Sequence, residues 1–346
     1  MRQNPFQVTF GKEPEKFVAR LNQTDEIIES FSMEKPSSQV YMLTGVRGSG
    51  KTVLLSHIAN HFRSNKDWIV IELNPLEDLM KDLTAKLYDN PGMKKRFIKA
   101  KIDLSFLGIG ISLEKTEPVS DIGTALERML KEVDKEGKRL LITVDEAINN
   151  ENVRIFAGDF QILMRQNYPI FLLMTGLYEN IYDLQNEKTL TFLYRAPKIV
   201  LGPLNINAVA NQYRNVFNIS EQEALDMAKL TKGYPFAFQV LGYLRFKYDG
   251  EKTIEEIMPE YDQYLEEYVY EKLWSELSTK DKEIMSVLAE TGRANIKDLR
   301  EKLDMKSGDM STYRKRLIRK GMVDASEYGK LSIVLPRFAE IIKMWN

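Results

Sequence analysis

Eight consecutive residues of this sequence combine glycines, a lysine and a hydroxyl side chain in a spacing suited to holding phosphate. They match G-x-x-x-x-G-K-[ST], the P-loop pattern, and read Gly45-Val46-Arg47-Gly48-Ser49-Gly50-Lys51-Thr52, followed by Val53. Glycines let the backbone wrap closely around an anion and point its N–H groups inward. Lys51 would supply positive charge at the β- and γ-phosphates, and the Thr52 hydroxyl would be a Mg²⁺ ligand. The motif therefore predicts a loop that binds ATP or ADP, in which Arg47 touches phosphate or faces solvent or a carboxylate.

A pair of acids supplies the second half of such a site. Asp145 and Glu146 follow the apolar run from Leu140 to Val144, about ninety residues after the loop. Ligands of parallel sheets bind at the carboxyl ends of the strands, where these acids would stand. Asp145 would hold Mg²⁺ through water, and Glu146 would orient and polarise the attacking water as general base.

The elements that must position these residues follow from the spacing of apolar residues. Short apolar runs predict strands, and the segments between them have helical spacing. The predicted strands cover 39–44, 68–73, 139–144, 169–175 and 198–201, and Lys101 to Glu114 predicts a β-hairpin or β-rich insertion. Nearly continuous apolar strands that alternate with helices indicate an α/β fold with a parallel sheet covered on both faces.

After Pro203 the strand patterns stop, which divides the chain into four segments. We predict an N-terminal arm (1–36), a P-loop ATPase α/β core (37–203), a helical lid (204–275) and a winged helix-turn-helix domain (276–346). The last segment predicts three helices followed by a hairpin, the order of a winged helix. It contains 15 basic and 11 acidic residues, a net charge of +4, which leaves −5 for the first 275 residues.

The P-loop and the acid pair resemble those of AAA+ and STAND-type ATPases, above all their origin-recognition-like and archaeal-ATPase branches. The resemblance covers residues 17–240, and the C-terminal part resembles their winged helix. It implies roles for four further elements. Phe17-Val18-Ala19-Arg20 is similar to an element that lies against adenine, although Ala19 replaces the usual glycine, and it would otherwise cover the sheet edge. Gly233-Tyr234-Pro235 matches a lid element that packs near adenine and reports nucleotide state.

The other two implied elements are single side chains. Thr175 occupies the sensor-1 position at the end of a strand, where it would touch the γ-phosphate or its water, or else cap the strand locally. Arg195 stands where the family places an arginine finger that enters a neighbouring subunit's site, or else it forms a surface salt bridge. No convincing sensor-2 arginine is present, which puts a conventional lid mechanism in doubt.

Composition excludes several other chemistries. The chain has 346 residues, no cysteine and only 2 histidines, so thiol catalysis, thiolate zinc sites and multi-histidine metal centres are excluded. A net charge of −1 gives no global argument for a nucleic-acid partner. With no signal peptide and no apolar run of about 18–20 residues, we expect a cytoplasmic protein without a membrane partner.

Two functions fit these features. The first is an ATP-hydrolysing, DNA-associated AAA+ protein whose winged helix reads double-stranded DNA. Its third helix and wing would contribute Thr312, Arg314, Lys315, Arg316 and Lys330. The second is a STAND-like switch with slow hydrolysis, whose winged helix contacts a protein. Self-association is compatible with either function.

Overall fold

Five parallel strands form the central sheet of the computed structural model, which describes residues 3–9, 14–102, 104 and 121–346. They are β1 (Val40–Thr44), β2 (Trp68–Leu73), β3 (Arg139–Val144), β4 (Ile170–Gly176) and β5 (Lys198–Val200), in the order β2-β3-β4-β1-β5. Each strand lies where an apolar run predicts it. The predicted parallel α/β sheet is confirmed, whereas the hairpin expected at Lys101 to Glu114 lies almost wholly outside the described residues.

Helices cover both faces of this sheet. They are α1 (Leu21–Ser32), α2 (Lys51–Arg63), α3 (Leu79–Tyr88), α4 (Lys94–Lys99), α5 (Ile122–Lys135), α6 (Glu151–Arg165), α7 (Tyr178–Gln185) and α8 (Thr191–Arg195). Alternate strand residues point to opposite faces. Tyr41 and Leu173 therefore pack with α1 and α2 on one face, whereas Met42 and Leu172 pack with the other core helices on the opposite face.

A helical segment follows the sheet. It contains α9 (Ile206–Phe217), α10 (Glu221–Leu230), α11 (Pro235–Tyr248), α12 (Ile254–Leu265), a π-helical turn (Glu266–Tyr270) and α13 (Glu271–Ser275). The sequence patterns indicated α9 to α11 but not the last three elements. A capping box at Thr253 and Glu256 begins α12, a signal that the apolar periodicity alone does not report.

The C-terminal residues form three helices and a small antiparallel sheet. The elements are α14 (Thr279–Thr291), β6 (Arg293–Asn295), α15 (Ile296–Lys302), α16 (Ser307–Arg319), β7 (Val323–Asp324), β8 (Lys330–Ile333) and α17 (Phe338–Trp345), with strand order β6-β8-β7. One buried apolar cluster runs from Leu204 to Ile342. The helical segment and the C-terminal elements therefore share a core.

The N-terminal arm is anchored in this shared core by one aromatic ring. Phe6 is 2% exposed and packs among residues of the helical segment. A Cβ at Gly242 of α11 would lie 2.4 Å from the Phe6 ring, so the ring requires a glycine there. Asn4 donates a hydrogen bond to the Tyr243 carbonyl oxygen (3.1 Å), which fixes the arm beside the ring.

Among the described residues, no helix has the length and apolar character needed to cross a bilayer.

Replacing Gly242 by Ala tests this anchor. Alanine favours helix by about 1 kcal/mol over glycine, but the added methyl group would overlap the Phe6 ring. We expect a net loss of about 1–3 kcal/mol in the free energy of unfolding, measured by urea denaturation. The matched control is Gly158→Ala, in α6, where a Cβ meets no atom within 4 Å and stability should rise. A stability gain in Gly242→Ala equal to that in Gly158→Ala would contradict the anchoring role.

Candidate functional site

The P-loop residues join the end of β1 to the start of α2. Gly50 is the N-cap residue of α2 with φ of 85°, and Gly48 has φ of 75°. Both conformations are left-handed and favour glycine. A Cβ at Gly48 would also lie 2.2 Å from the Tyr234 hydroxyl oxygen. The glycines of the motif are therefore required by backbone conformation and by the close approach of a neighbouring segment.

The Lys51 side chain folds back over the P-loop. Its Nζ donates hydrogen bonds to the carbonyl oxygens of Gly45 (3.0 Å) and Val46 (3.1 Å). Burial lowers the pKa of the Lys51 ammonium to about 8, while the charges of Asp145 and Glu146 act in the opposite direction. An anion in the loop would offset the cost of burying this charge.

Asp145 connects the P-loop to the sheet. The Thr52 hydroxyl donates a hydrogen bond to Asp145 Oδ2 at 2.8 Å, which brings together residues 93 positions apart. The Thr175 hydroxyl donates to Asp145 Oδ1 and accepts a hydrogen bond from the Glu146 N–H at 3.1 Å. Both predicted metal ligands therefore meet at one point.

Thr175 itself differs from its expected position beside the γ-phosphate. It is fully buried at the end of β4 and does not line the cavity described below. Its hydroxyl is occupied by Asp145 and Glu146. Of the two sequence-based alternatives, these contacts favour the local one, in which Thr175 fixes neighbouring groups at the strand ends.

Glu146 projects into open space from an unusual backbone conformation. Its φ is 52°, in the left-handed region, and its side chain is exposed. Such a conformation costs a non-glycine residue of order 1–3 kcal/mol and is found most often at functional sites. The next N–H, of Ala147, donates to the Thr175 carbonyl oxygen at 2.7 Å, which holds the turn. The turn places Glu146 in the lining of the cavity.

These groups share one large cavity with a volume of about 1030 Å³. Residues 47–53 of the loop line it, together with Asp145, Glu146 and the segments Phe17-Val18 and Arg20. Gly45 and Val46 instead line a separate cavity of about 30 Å³. The cavity therefore brings together the P-loop, the acid pair and the arm element.

Arg20 ties the arm to the loop. Its guanidinium donates to the carbonyl oxygens of Ser49 (3.2 Å) and Gly202 (2.7 Å). Burial lowers the pKa of Arg20 to about 10. A second link was not predicted: the Gln7 N–H donates to Gln239 Oε1 (2.9 Å), whose Nε2 donates to the Lys16 carbonyl oxygen (2.7 Å). No motif in the sequence marks Gln7 or Gln239, because the contact joins segments 232 positions apart.

The predicted lid element packs directly on the P-loop. The Tyr234 hydroxyl donates to the Arg47 carbonyl oxygen, and the Phe236 N–H donates to the Gly48 carbonyl oxygen at 3.3 Å. Tyr234 is buried behind the loop and does not line the cavity, whereas Pro235 does. Of the two predicted nucleotide-side residues, Pro235 therefore faces the cavity and Tyr234 contacts the loop backbone.

The C-terminal residues also reach this region. The Arg47 guanidinium lies 3.6 Å from a Glu276 carboxylate oxygen, so it faces a carboxylate. On this side, the cavity lining includes further charged or polar side chains that no sequence pattern predicts: Glu179, Asn180, Lys272, Glu276 and Lys320. They come from α7, α13 and the residues that follow α13 and α16, and no local pattern predicts that these elements meet the loop.

Arg195 lies outside the cavity. It is exposed at the end of α8, and in the described part of the chain it forms no hydrogen bond or ion pair. The alternative prediction of an intramolecular surface salt bridge therefore finds no partner there. The preceding residue, Tyr194, is also exposed (70%).

The predicted DNA-contacting residues divide into two groups. Thr312 and Lys315 are exposed on α16, Arg314 is half-buried, and Lys330 forms an exposed ion pair with Glu327. Arg316 does not belong to an open reading surface. Its guanidinium pairs with Asp281, which is 1% exposed, and the Nε–Oδ1 distance is 3.1 Å. A buried carboxylate needs such a cation, so Arg316 stabilises the junction of α14 and α16.

Two segments of the chain match models of known protein families. Residues 17–159 match a family model described as an ATPase domain predominantly from Archaea. Residues 267–342 match a domain of unknown function, DUF8462. Among curated proteins, none matches the chain.

Solved structures share the fold over nearly the whole chain. The chain is similar to the Walker-type ATPase of Pyrococcus abyssi, with 16% identity and a TM-score of 0.68 over 95% of this chain and 97% of that one. It is also similar to the ORC2 protein of Aeropyrum pernix in its ADPNP–ADP complexes, with 13% identity, a TM-score of 0.61 and coverage of 97% and 96%. Residues 17–159 are therefore similar to an ATPase domain found predominantly in Archaea, and the chain shares its fold with these solved structures, one of which is a Walker-type ATPase.

Proposed function

We propose that the chain binds ATP in the large cavity, hydrolyses it and couples the state of the nucleotide to residues 276–346. The observation that carries this proposal is the 2.8 Å hydrogen bond between Thr52 and Asp145, next to Lys51 and Glu146. It joins the two halves of the P-loop chemistry at the mouth of a cavity large enough for a nucleotide. The Aeropyrum pernix ORC2 protein, solved with ADPNP and ADP, supports nucleotide as the ligand.

The residues suggest a division of labour in hydrolysis. Loop N–H groups, Lys51 and the positive end of α2 would bind the phosphates. The Thr52 hydroxyl and the Asp145 carboxylate are hard oxygen donors that suit Mg²⁺. Thr52 would bind the ion directly and Asp145 through water, and a hydrogen bond already brings the two side chains together. When bound, Mg²⁺ would neutralise phosphate charge. Glu146 would take a proton from water as the water oxygen bonds to the γ-phosphorus and the bond to the bridging oxygen breaks, which yields ADP and phosphate.

Two substitutions separate binding from hydrolysis. Lys51→Ala removes the cation from the loop and should abolish ATP and ADP binding in isothermal titration calorimetry. Glu146→Gln keeps the shape of the side chain but not its basicity, so it should bind ATP and lose turnover by about 10²–10⁴-fold, measured as phosphate release. Lys343→Ala, an exposed lysine on α17, is the control for both assays. Equal turnover in Glu146→Gln and the parent would refute the general-base role.

We infer that Arg195 acts on the site of a neighbouring copy. Its exposed position outside its own chain's cavity supports action in trans, and the preceding residue, Tyr194, exposes an aromatic ring that a neighbouring copy could cover. A guanidinium inserted from a neighbour would stabilise the charge that develops on the transferred phosphoryl group.

Complementation between inactive copies tests this role. Arg195→Ala should lower turnover by about 10³-fold or more, the size of effect seen for arginine fingers. Mixing Arg195→Ala with Glu146→Gln should restore turnover, because each intact Glu146 site can then receive Arg195 from the other variant. Arg165→Ala, an exposed arginine at the end of α6, should behave as the parent. A monomeric parent with the same turnover at every protein concentration would rule out the role.

We further propose that residues 276–346 are a winged helix that contacts double-stranded DNA through α16 and the hairpin. Three helices with an antiparallel sheet of order β6-β8-β7 support the winged-helix assignment. The exposed positions of Thr312 and Lys315 support the DNA contact, with Arg314 beside them and Lys330 on the hairpin. Phosphate contacts would supply most of the affinity.

Salt-dependent binding to a labelled DNA duplex, followed by fluorescence anisotropy, tests the DNA contact. Lys315→Ala should weaken binding uniformly across sequences and lower the slope of log K against log salt by about 1. Arg316→Ala should instead lower the free energy of unfolding by about 1–3 kcal/mol, because the buried Asp281 carboxylate would keep only its hydrogen bonds from Ser278. Lys343→Ala serves as the control. No binding of the parent at low salt, with either ATP or ADP, would remove the DNA proposal.

One observation favours the second candidate, a nucleotide switch with slow hydrolysis whose C-terminal domain contacts a protein. The C-terminal residues pack against the P-loop, where a Cβ at Gly321 would lie 3.1 Å from Val46 Cβ. In that arrangement the end of α16 packs against the ATPase core, where Arg319 contacts two tyrosine rings of α7. Tightly retained ADP in the purified protein, together with negligible turnover, would favour the switch over the active DNA-associated ATPase.

A further inference from the structure

The residues at the end of α16 contact both α7 and the P-loop, next to the nucleotide cavity. The Arg319 guanidinium lies 4.9 Å from the ring centre of Tyr182 and 5.8 Å from that of Tyr178, both on α7. Gly321 has φ of 70° and packs against Val46 of the P-loop. This pair of contacts holds the intervening residue, Lys320, between α7 and the loop.

Lys320 is the charged group at the centre of this contact. Its Nζ lies 2.8 Å from Glu179 Oε2, and its side chain is 15% exposed whereas that of Glu179 is 48% exposed. Both side chains line the large cavity together with Lys51, Asp145 and Glu146. The Lys320 side chain is therefore enclosed by protein on most sides and faces the cavity. Its partner, Glu179, is exposed enough to turn to solvent.

The surroundings of Lys320 assign it to the phosphate end of the cavity. Lys320 also lines the small adjacent cavity with Gly45, Val46 and Leu177, which follow β1 and β4 directly. The arm element at Phe17 and Val18, the expected adenine side, does not line that small cavity. Lys320 therefore stands near the ends of β1 and β4, at the same edge of the parallel sheet as the acid pair that follows β3.

The other cations at this end already have protein acceptors. Lys51 donates to two loop carbonyl oxygens, and Arg47 faces Glu276. Each must rearrange or share its donors when an anion enters. A ligand can break the ion pair of Lys320 with Glu179, because the Glu179 side chain is half-exposed and can turn to solvent. A phosphate that carries more charge can then replace the carboxylate.

We propose that Lys320 binds the terminal phosphate of the nucleotide, and that Glu179 holds the Lys320 ammonium when this phosphate is absent. The inference rests on the proposed function, because it assigns a ligand to a residue of the same cavity. A triphosphate would draw Lys320 away from Glu179, whereas a diphosphate would leave the ion pair intact. Because Lys320 follows α16 directly, the number of phosphates would set how the C-terminal residues sit on α7.

Calorimetric titration with ADPNP, a non-hydrolysable triphosphate, and with ADP tests this assignment. Lys320→Met should weaken ADPNP by about tenfold, the loss of one charge-assisted hydrogen bond, and change ADP by less than about twofold. Lys320→Arg should recover most of the ADPNP affinity. Lys343→Met, which removes a distant exposed lysine of the same segment, should bind both nucleotides as the parent does.

Glu179→Gln separates phosphate binding from a purely structural ion pair. It removes the competing carboxylate, so ADPNP should bind as tightly as in the parent or more tightly, although the ion pair is lost. If Lys320 and Glu179 only hold the segments together, both substitutions will weaken ADPNP and ADP alike, which would overturn the proposal. Unchanged ADPNP binding in Lys320→Met would also overturn it. If the parent bound neither nucleotide, the proposed function itself would fail, an outcome distinct from either result.

Discussion

The hydrogen-bonded chain Thr52–Asp145–Thr175 is the constraint on which the site depends. It joins the first turn of α2, the end of β3 and the end of β4 through one carboxylate. Because each of these elements is fixed by the buried sheet, the carboxylate has one available position. The same Thr175 accepts the Glu146 N–H and so supports the left-handed turn that directs Glu146 into the cavity. The order of the sheet, in which β4 lies between β3 and β1, therefore determines the geometry of the acids.

The helical segment and the N-terminal arm also hold the P-loop in place. The absent side chain of Gly48 admits the Tyr234 hydroxyl, and Arg20 bonds the Ser49 carbonyl oxygen from the other side. Gly233, with φ of 71°, lets its carbonyl accept the Leu204 N–H at 2.7 Å and turns the chain into α11. Because these contacts are direct, a change in loop conformation on nucleotide binding would move the helical segment without any intermediate element.

Sequence reasoning succeeded where the signal is local and failed where it depends on docking. Residues 45–52 and the acid pair each lie within one strand-to-loop junction, so motif and periodicity were sufficient to find them. Arg316 seemed a DNA-reading residue because five basic residues lie close together, but its partner Asp281 is 35 positions away in another helix. Gln7, Glu179 and Lys320 carry no motif at all. They line the cavity because the arm, α7 and the C-terminal residues pack there, and single-sequence patterns contain no information about that packing.

The local charge of +4 in residues 276–346 is not all available to an external ligand. Many of its basic side chains are paired with acids of the same segment, as in Lys302–Glu290 and Arg293–Glu327. Two others, Arg319 and Lys320, are bound to α7 of the ATPase core. The excess positive charge is therefore divided between an outer surface near Lys315 and an inner contact with the core.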